Sequence, residues 1–183
     1  MLGMNRVSMC QLSRSVAALA VAGTLSLTFA SPPAAASGLG LQLPGDPALS
    51  TLISAEQALL VLTNTDRAVN GLAPLQFDPD TLLIARQRAA TQIDAPTLSH
   101  YNDAGDIVFV QLMANAQLRY ELAGENLARA YDNDAGVTQR VEMALMKSAA
   151  HRKNILEQTF SRVAIGAASN GTGQITFAEV YRN

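Results

Sequence analysis

Apolar positions recur along the chain in changing rhythms, and each change marks an element. After residue 53 the spacing is helical. Ala58, Leu59 and Leu62 recur three and four residues apart and predict a helix over 55–69, with Ser54 as N-cap, Gln57 completing the cap and Asn70-Gly71 as the stop. A short extended link, 72–77, contains Pro74; Asp78-Pro79 then opens a second helix to about residue 93, with Leu82, Leu83, Ala85, Ala89 and Ala90 inward and Arg86 and Arg88 toward solvent. A loop over 95–106 is broken by Pro96 and Gly105, and a third helix over 107–116 is apolar at Val108, Leu112 and Met113.

From Leu118 onward the period shortens to that of a strand. Tyr120, Leu122, Leu127, Ala128 and Ala130 fit extended chain, interrupted at Gly124-Glu125-Asn126. Helical spacing returns over 135–147, with Val137, Val141, Ala144, Leu145 and Met146 buried, and Ser148 caps a further helix carrying His151, Asn154, Ile155 and Leu156. Two closing strands, 162–168 and 174–181, flank Asn170-Gly171-Thr172-Gly173, a hairpin turn. Helices first and strands late predict an α+β domain in which helices pack on an antiparallel sheet.

The first 53 residues read differently. Arg6 and Arg14 without acidic neighbours, an apolar run over 16–30 and Ala34-Ala35-Ala36 predict a secretory signal peptide over 1–36. The apolar run is too short for the roughly 20 residues that span a bilayer, and no later segment is long enough, so no transmembrane segment is expected in the mature chain. Residues 37–53, rich in Gly, Pro and Ser, form a linker, and 54–183 is one domain.

Charge and cysteine narrow the classes further. The chain carries 13 Lys+Arg against 15 Asp+Glu, and both leader charges are arginines, so the mature part is the more acidic. That balance speaks against nucleic acid or an anionic membrane surface as partner. The single cysteine, Cys10, sits in the leader ahead of the apolar run, so the exported domain, expected to be a monomer, must be stabilised by its core instead of by disulfides. Two histidines, His100 in the loop and His151 near a helix start, are the candidates for chemistry.

Five blocks then carry a resemblance. Asn64-x-x-Arg67 with Gly71-Leu72-x-Pro74-Leu75, then Ser99-His100, Gly124-Glu125-Asn126-Leu127-Ala128, Ser148-Ala149-Ala150-His151-Arg152-Lys153-Asn154-Ile155, and Ile165-Gly166 resemble the CAP superfamily in register. That superfamily includes cysteine-rich secretory proteins, antigen-5 allergens and pathogenesis-related plant proteins, and the chain is most similar to its bacterial, cysteine-free, SCP-like branch. The resemblance implies a three-layer α-β-α sandwich, secreted or held at the cell envelope, with a cavity lined by His100, Glu125 and His151. The fourth cavity position, a glutamate in eukaryotic members, falls on Ser148, and Glu142 stands at the wrong helical angle to replace it.

Two functions follow from the resemblance. In the first, His100, Glu125, Ser148 and His151 form a ligand-binding site for a sterol, fatty acid or other small molecule, or the domain engages an extracellular protein. A divalent metal such as zinc would then sit between His100 and His151. In the second, the same cavity is a metal-assisted, peptidase-like hydrolase with His100, Glu125 or His151 as catalytic candidates. No cysteine remains as nucleophile, and neither Ser99 nor Ser148 has a glycine-flanked elbow, so binding is the favoured reading.

Overall fold

The computed structural model describes residues 7–15, 53–131 and 134–183. In chain order they form β1 (Val7–Ser15), α1 (Ser54–Val69), β2 (Gln76–Phe77), α2 (Pro79–Gln92), α3 (Val108–Asn115), β3 (Leu122–Ala130), α4 (Val137–Lys147), α5 (Ala149–Ile155), β4 (Arg162–Ser169) and β5 (Ile175–Arg182). The sheet runs β1-β3-β5-β4-β2. All neighbours are antiparallel except β2, which adds two residues parallel to β4. The apolar part of the expected leader, its expected cleavage region and all but the last residue of the expected linker lie outside the described residues.

Alternation along the strands sorts the core into two layers. Ala128 and Ala130 of β3, Val163 and Ile165 of β4 and Phe177 and Tyr181 of β5 pack with Leu59, Leu60, Val141, Leu145 and Ile155 from α1, α4 and α5. The intervening residues Ala123, Ala164 and Val180 face Ile84 and Ala85 of α2 and Phe109 and Met113 of α3. The α-β-α sandwich expected from the sequence is thus the architecture found. Gly166 shows how close the layers come: a Cβ there would lie 2.2 Å from the Ala85 carbonyl carbon, so only glycine lets α2 lie on β4.

Several local expectations are corrected. The N-cap of α1 is Ile53 and not Ser54; its amide donates to Glu56 Oε2 at 3.1 Å, so a carboxylate at the third helical position takes the back-bonding role expected of Gln57. The same Glu56 accepts from Arg86 Nε at 2.9 Å and from the Ala167 amide at 3.1 Å, tying α1 to α2 and β4. On α2, Leu83 is 75 % exposed and Ile84 takes its inward place. Arg88 is 2 % exposed, the reverse of the solvent-facing position expected of it. Gly124-Glu125-Asn126 does not interrupt β3, which is continuous from Leu122 to Ala130.

Candidate functional site

The Gly124-Glu125-Asn126 block explains itself residue by residue. Gly124 leaves room for the opposite layer: a Cβ there would stand 3.1 Å from the Phe160 ring and 3.2 Å from Asn154 Oδ1. Glu125 and Asn126 are successive on a strand, so their side chains enter opposite layers.

On the α2–α3 layer, Glu125 is fully buried and doubly paired. Arg88 Nε donates to Glu125 Oε1 at 2.7 Å and Nη2 to Oε2 at 3.2 Å, while the same Nη2 donates to the Ser99 carbonyl at 2.6 Å. His100 Nδ1 stands 2.7 Å from Glu125 Oε2. A carboxylate held by a two-pronged guanidinium is an acceptor only, so His100 Nδ1 carries the proton and donates it. Gln92 Oε1 fixes the loop by accepting the Ser99 amide at 2.8 Å. His100 thus meets Glu125 directly, and Glu125 is held on its other side by Arg88, which the sequence reading placed outside.

On the other layer, Asn126 Nδ2 donates to the His151 carbonyl at 3.3 Å, and Asn154 Nδ2 donates to Asn126 Oδ1 at 3.0 Å and to the Glu125 carbonyl at 3.3 Å. These bonds fasten α5 across β3. His151 is buried, and its Nδ1 lies 2.7 Å from Ser148 Oγ. Ser148 is the N-cap residue, yet its hydroxyl caps no amide and serves the imidazole instead. His100 and His151 thus belong to different layers of the sandwich, each with Nδ1 committed to a neighbour and joined to the other through the backbone of β3. Among the described residues, no three His, Cys, Asp or Glu side chains gather into a group able to hold a metal ion.

Behind His151 lies a second polar cluster that sequence reasoning missed. The Thr63 hydroxyl is 3.2 Å from Glu142 Oε2 and 3.3 Å from Glu179 Oε1. It has one proton to give, so one carboxyl must bring its own. Glu179 Oε2 already accepts from Asn126 at 2.9 Å and from the Tyr181 hydroxyl at 2.5 Å, which makes Glu179 the carboxylate and Glu142 the acid. Burial, then the charges of Glu179 and Asp66, push Glu142 up to about 10. The only hint in the sequence was that Glu142 falls on the inward stripe of α4, with Val141 and Leu145 beside it.

A cavity of about 500 Å³ opens elsewhere, between the α1–β2 and α5–β4 loops, lined by Leu72, Pro74, Phe160 and Arg162 among others. It contains neither histidine. The floor of this region explains the Asn64-x-x-Arg67 block. Asn64 clamps Leu75 through both its amide and its carbonyl, at 2.8 and 3.0 Å, and Arg67 donates to the carbonyls of Ala73, Ile155 and Glu157 at 2.9, 2.7 and 2.9 Å.

This combination of sandwich, clamps and polar strand defines a family. The model of the CAP family, described as the cysteine-rich secretory protein family, matches residues 60–181, and the chain belongs to it. It is 30 % identical over 123 residues to YkwD of Bacillus subtilis (strain 168), covering 67 % of this chain and 46 % of that protein. The chain thus spans under half the length of that relative. Among solved structures, an outer surface protein of Borrelia burgdorferi superposes with TM-score 0.62 at 16 % identity, over 72 % of this chain and 96 % of that one. An extracellular SCP-domain protein of Bacillus anthracis gives TM-score 0.57 at 22 % identity, over 70 % and 40 %. These two share the fold, and both are described as extracellular or outer surface proteins. No helix of the described residues is long and apolar enough to cross a membrane.

Proposed function

We propose that the protein is a secreted or envelope-held binding module whose ligand is met by His100 and His151, with Glu125 and Ser148 setting the two rings. The observation that carries this reading is the buried Arg88–Glu125–His100 chain, with links of 2.7 Å at Glu125 on both sides. Ion pairs buried this deeply cost desolvation and are weak contributors to stability, so their use here is to orient an imidazole. With Nδ1 committed, His100 works through Nε2 as acceptor, metal ligand or, when protonated, donor.

The donor set suits a polar ligand better than a sterol or fatty acid. It does not make a resident zinc centre, since structural and catalytic zinc sites use three or four protein ligands and no such group exists among the described residues. A hydrolytic reading draws on one observation, the Ser148 hydroxyl 2.7 Å from His151 Nδ1. That hydroxyl sits at the start of a seven-residue helix, with Glu125 pointing into the other layer.

Native mass spectrometry of the secreted protein, followed by calorimetric zinc titration of wild type, His100→Ala and His151→Ala, tests the reading. A retained ligand that both variants lose with the fold intact, and no zinc uptake by any of the three proteins, is the expected result. Turnover of a peptide or ester that falls in Ser148→Ala would replace it with the hydrolase.

A further inference from the structure

The two histidines belong to opposite layers of the sandwich, so a ligand can meet both only around the outer edge of β3. That edge is the one next to β1 in the sheet order. In the full chain it is occupied: Val7–Ser15 pairs antiparallel along the whole of β3, with Gln11 opposite Asn126, Leu12 opposite Glu125 and Arg14 opposite Ala123. β1 also packs against α5, which carries His151, and against α4. The strand on the outside of the site is thus a piece of the predicted secretory leader.

We propose that the outer edge of β3 is the ligand groove of this domain and that its ligand is an extended polypeptide segment, added antiparallel between His100 and His151, with the leader strand as its first occupant. This rests on the binding reading above and gives it a ligand class. An open edge strand presents a row of backbone donors and acceptors that pair with any extended chain of suitable length. Main-chain pairing then supplies affinity, and flanking side chains supply selectivity.

β3 lacks the devices that normally keep an edge from pairing. It has no proline, and its register with both neighbours runs unbroken from 123 to 130, without a bulge. Its two charged side chains are turned inward: Glu125 is held by Arg88 and His100, and Arg129 Nη2 donates to the Gln92 carbonyl. Neither is free to repel an incoming strand. Secretion with removal of the leader would vacate the whole edge beside α5, whereas an unprocessed chain would be blocked by its own N-terminus.

The test uses the full chain and its Gln11→Pro/Leu12→Pro variant. Adjacent residues of a strand point their amides to opposite sides, so one of the two prolines must remove a β1–β3 bond. The probes are a labelled peptide of residues 7–15, with serine for Cys10, and its N-methylated counterpart. The wild-type chain should protect the outer-edge amides of β3 and bind the peptide at least about tenfold more weakly than the variant. In the variant those amides should exchange faster, become protected again on adding peptide, and ignore the N-methylated one. Equal exchange of the β3 amides in both proteins, or equal binding of the two peptides, would overturn the proposal. Amide exchange does not depend on either histidine, so failure here is distinct from failure of ligand retention in the histidine variants.

Discussion

Glu125 and Glu179 sit on neighbouring strands, both buried, and are stabilised in opposite ways. Glu125 is kept as a carboxylate by a buried arginine and an imidazole, on the layer of α2 and α3. Among the described residues Glu179 has no ion-pair partner; it draws on three neutral donors, Thr63, Asn126 and Tyr181, and on a neighbouring acid, Glu142, that keeps its proton. The first arrangement orients the ring of His100. The second ties α1, α4 and β5 together and, through Asn126, holds α5 against the strand that carries Glu125. The contrast shows how one sheet keeps two buried acids without sacrificing either layer: a charged partner on one side, neutral donors and a protonated neighbour on the other.

Breaking the first arrangement should have the larger effect. Arg88→Met leaves Glu125 buried without its cation, and thermal or urea unfolding should report a loss of about 3–5 kcal/mol. Adding Glu125→Gln should restore much of it, because the uncompensated charge is then gone. A variant as stable as wild type would mean that Glu125 is satisfied without Arg88.

The second arrangement is read by pH. Glu142 is raised in the folded state, so its contribution is fully present below its unfolded value, near 4.5, and is lost as pH rises toward its folded value of about 10. Through that window the folded protein binds one more proton than the unfolded one, and stability falls with rising pH by up to about 1.4 kcal/mol per unit from this group. Glu142→Gln keeps the shape and removes the titration. It should flatten the decline and be the more stable protein at pH 9, by on the order of 2 kcal/mol in urea unfolding. An unchanged slope would show that Glu142 is not the proton carrier.

Ser148→Ala should do least to the fold, under about 1 kcal/mol, because the hydroxyl caps no backbone amide. Its effect belongs on the ring: the nitrogen-15 chemical shift of His151 Nδ1 should move while that of His100 Nδ1 stays in place. A loss of a full cap's worth of stability would return Ser148 to a purely structural role.

What the sequence made legible was periodic. Helix positions followed the spacing of Leu59, Val141 and Leu145, and the closing hairpin followed its Asn-Gly turn. The motif blocks singled out His100, Glu125 and His151, of which the structure brings His100 and Glu125 together. Charged residues on inward stripes were not legible, because burial of a charge is decided by a partner distant in sequence. Arg88 reads as a surface residue until Glu125 arrives from 37 residues away. Glu142 reads as a stray acid until Thr63 and Glu179 meet it from two other elements. The reading of Glu125-Asn126 as a break in β3 failed for a related reason. Polar residues in mid-strand look like a turn unless both sides of the sheet have partners for them.

The claim on which the rest depends is that Arg88 makes Glu125 a pure acceptor and so fixes the ring of His100. Nitrogen-15 NMR of histidine-labelled protein, following both ring nitrogens of His100 between about pH 5 and 9, tests it directly. The account predicts that Nδ1 keeps its proton throughout. A neutral ring with its proton on Nε2 and Nδ1 bare would contradict it.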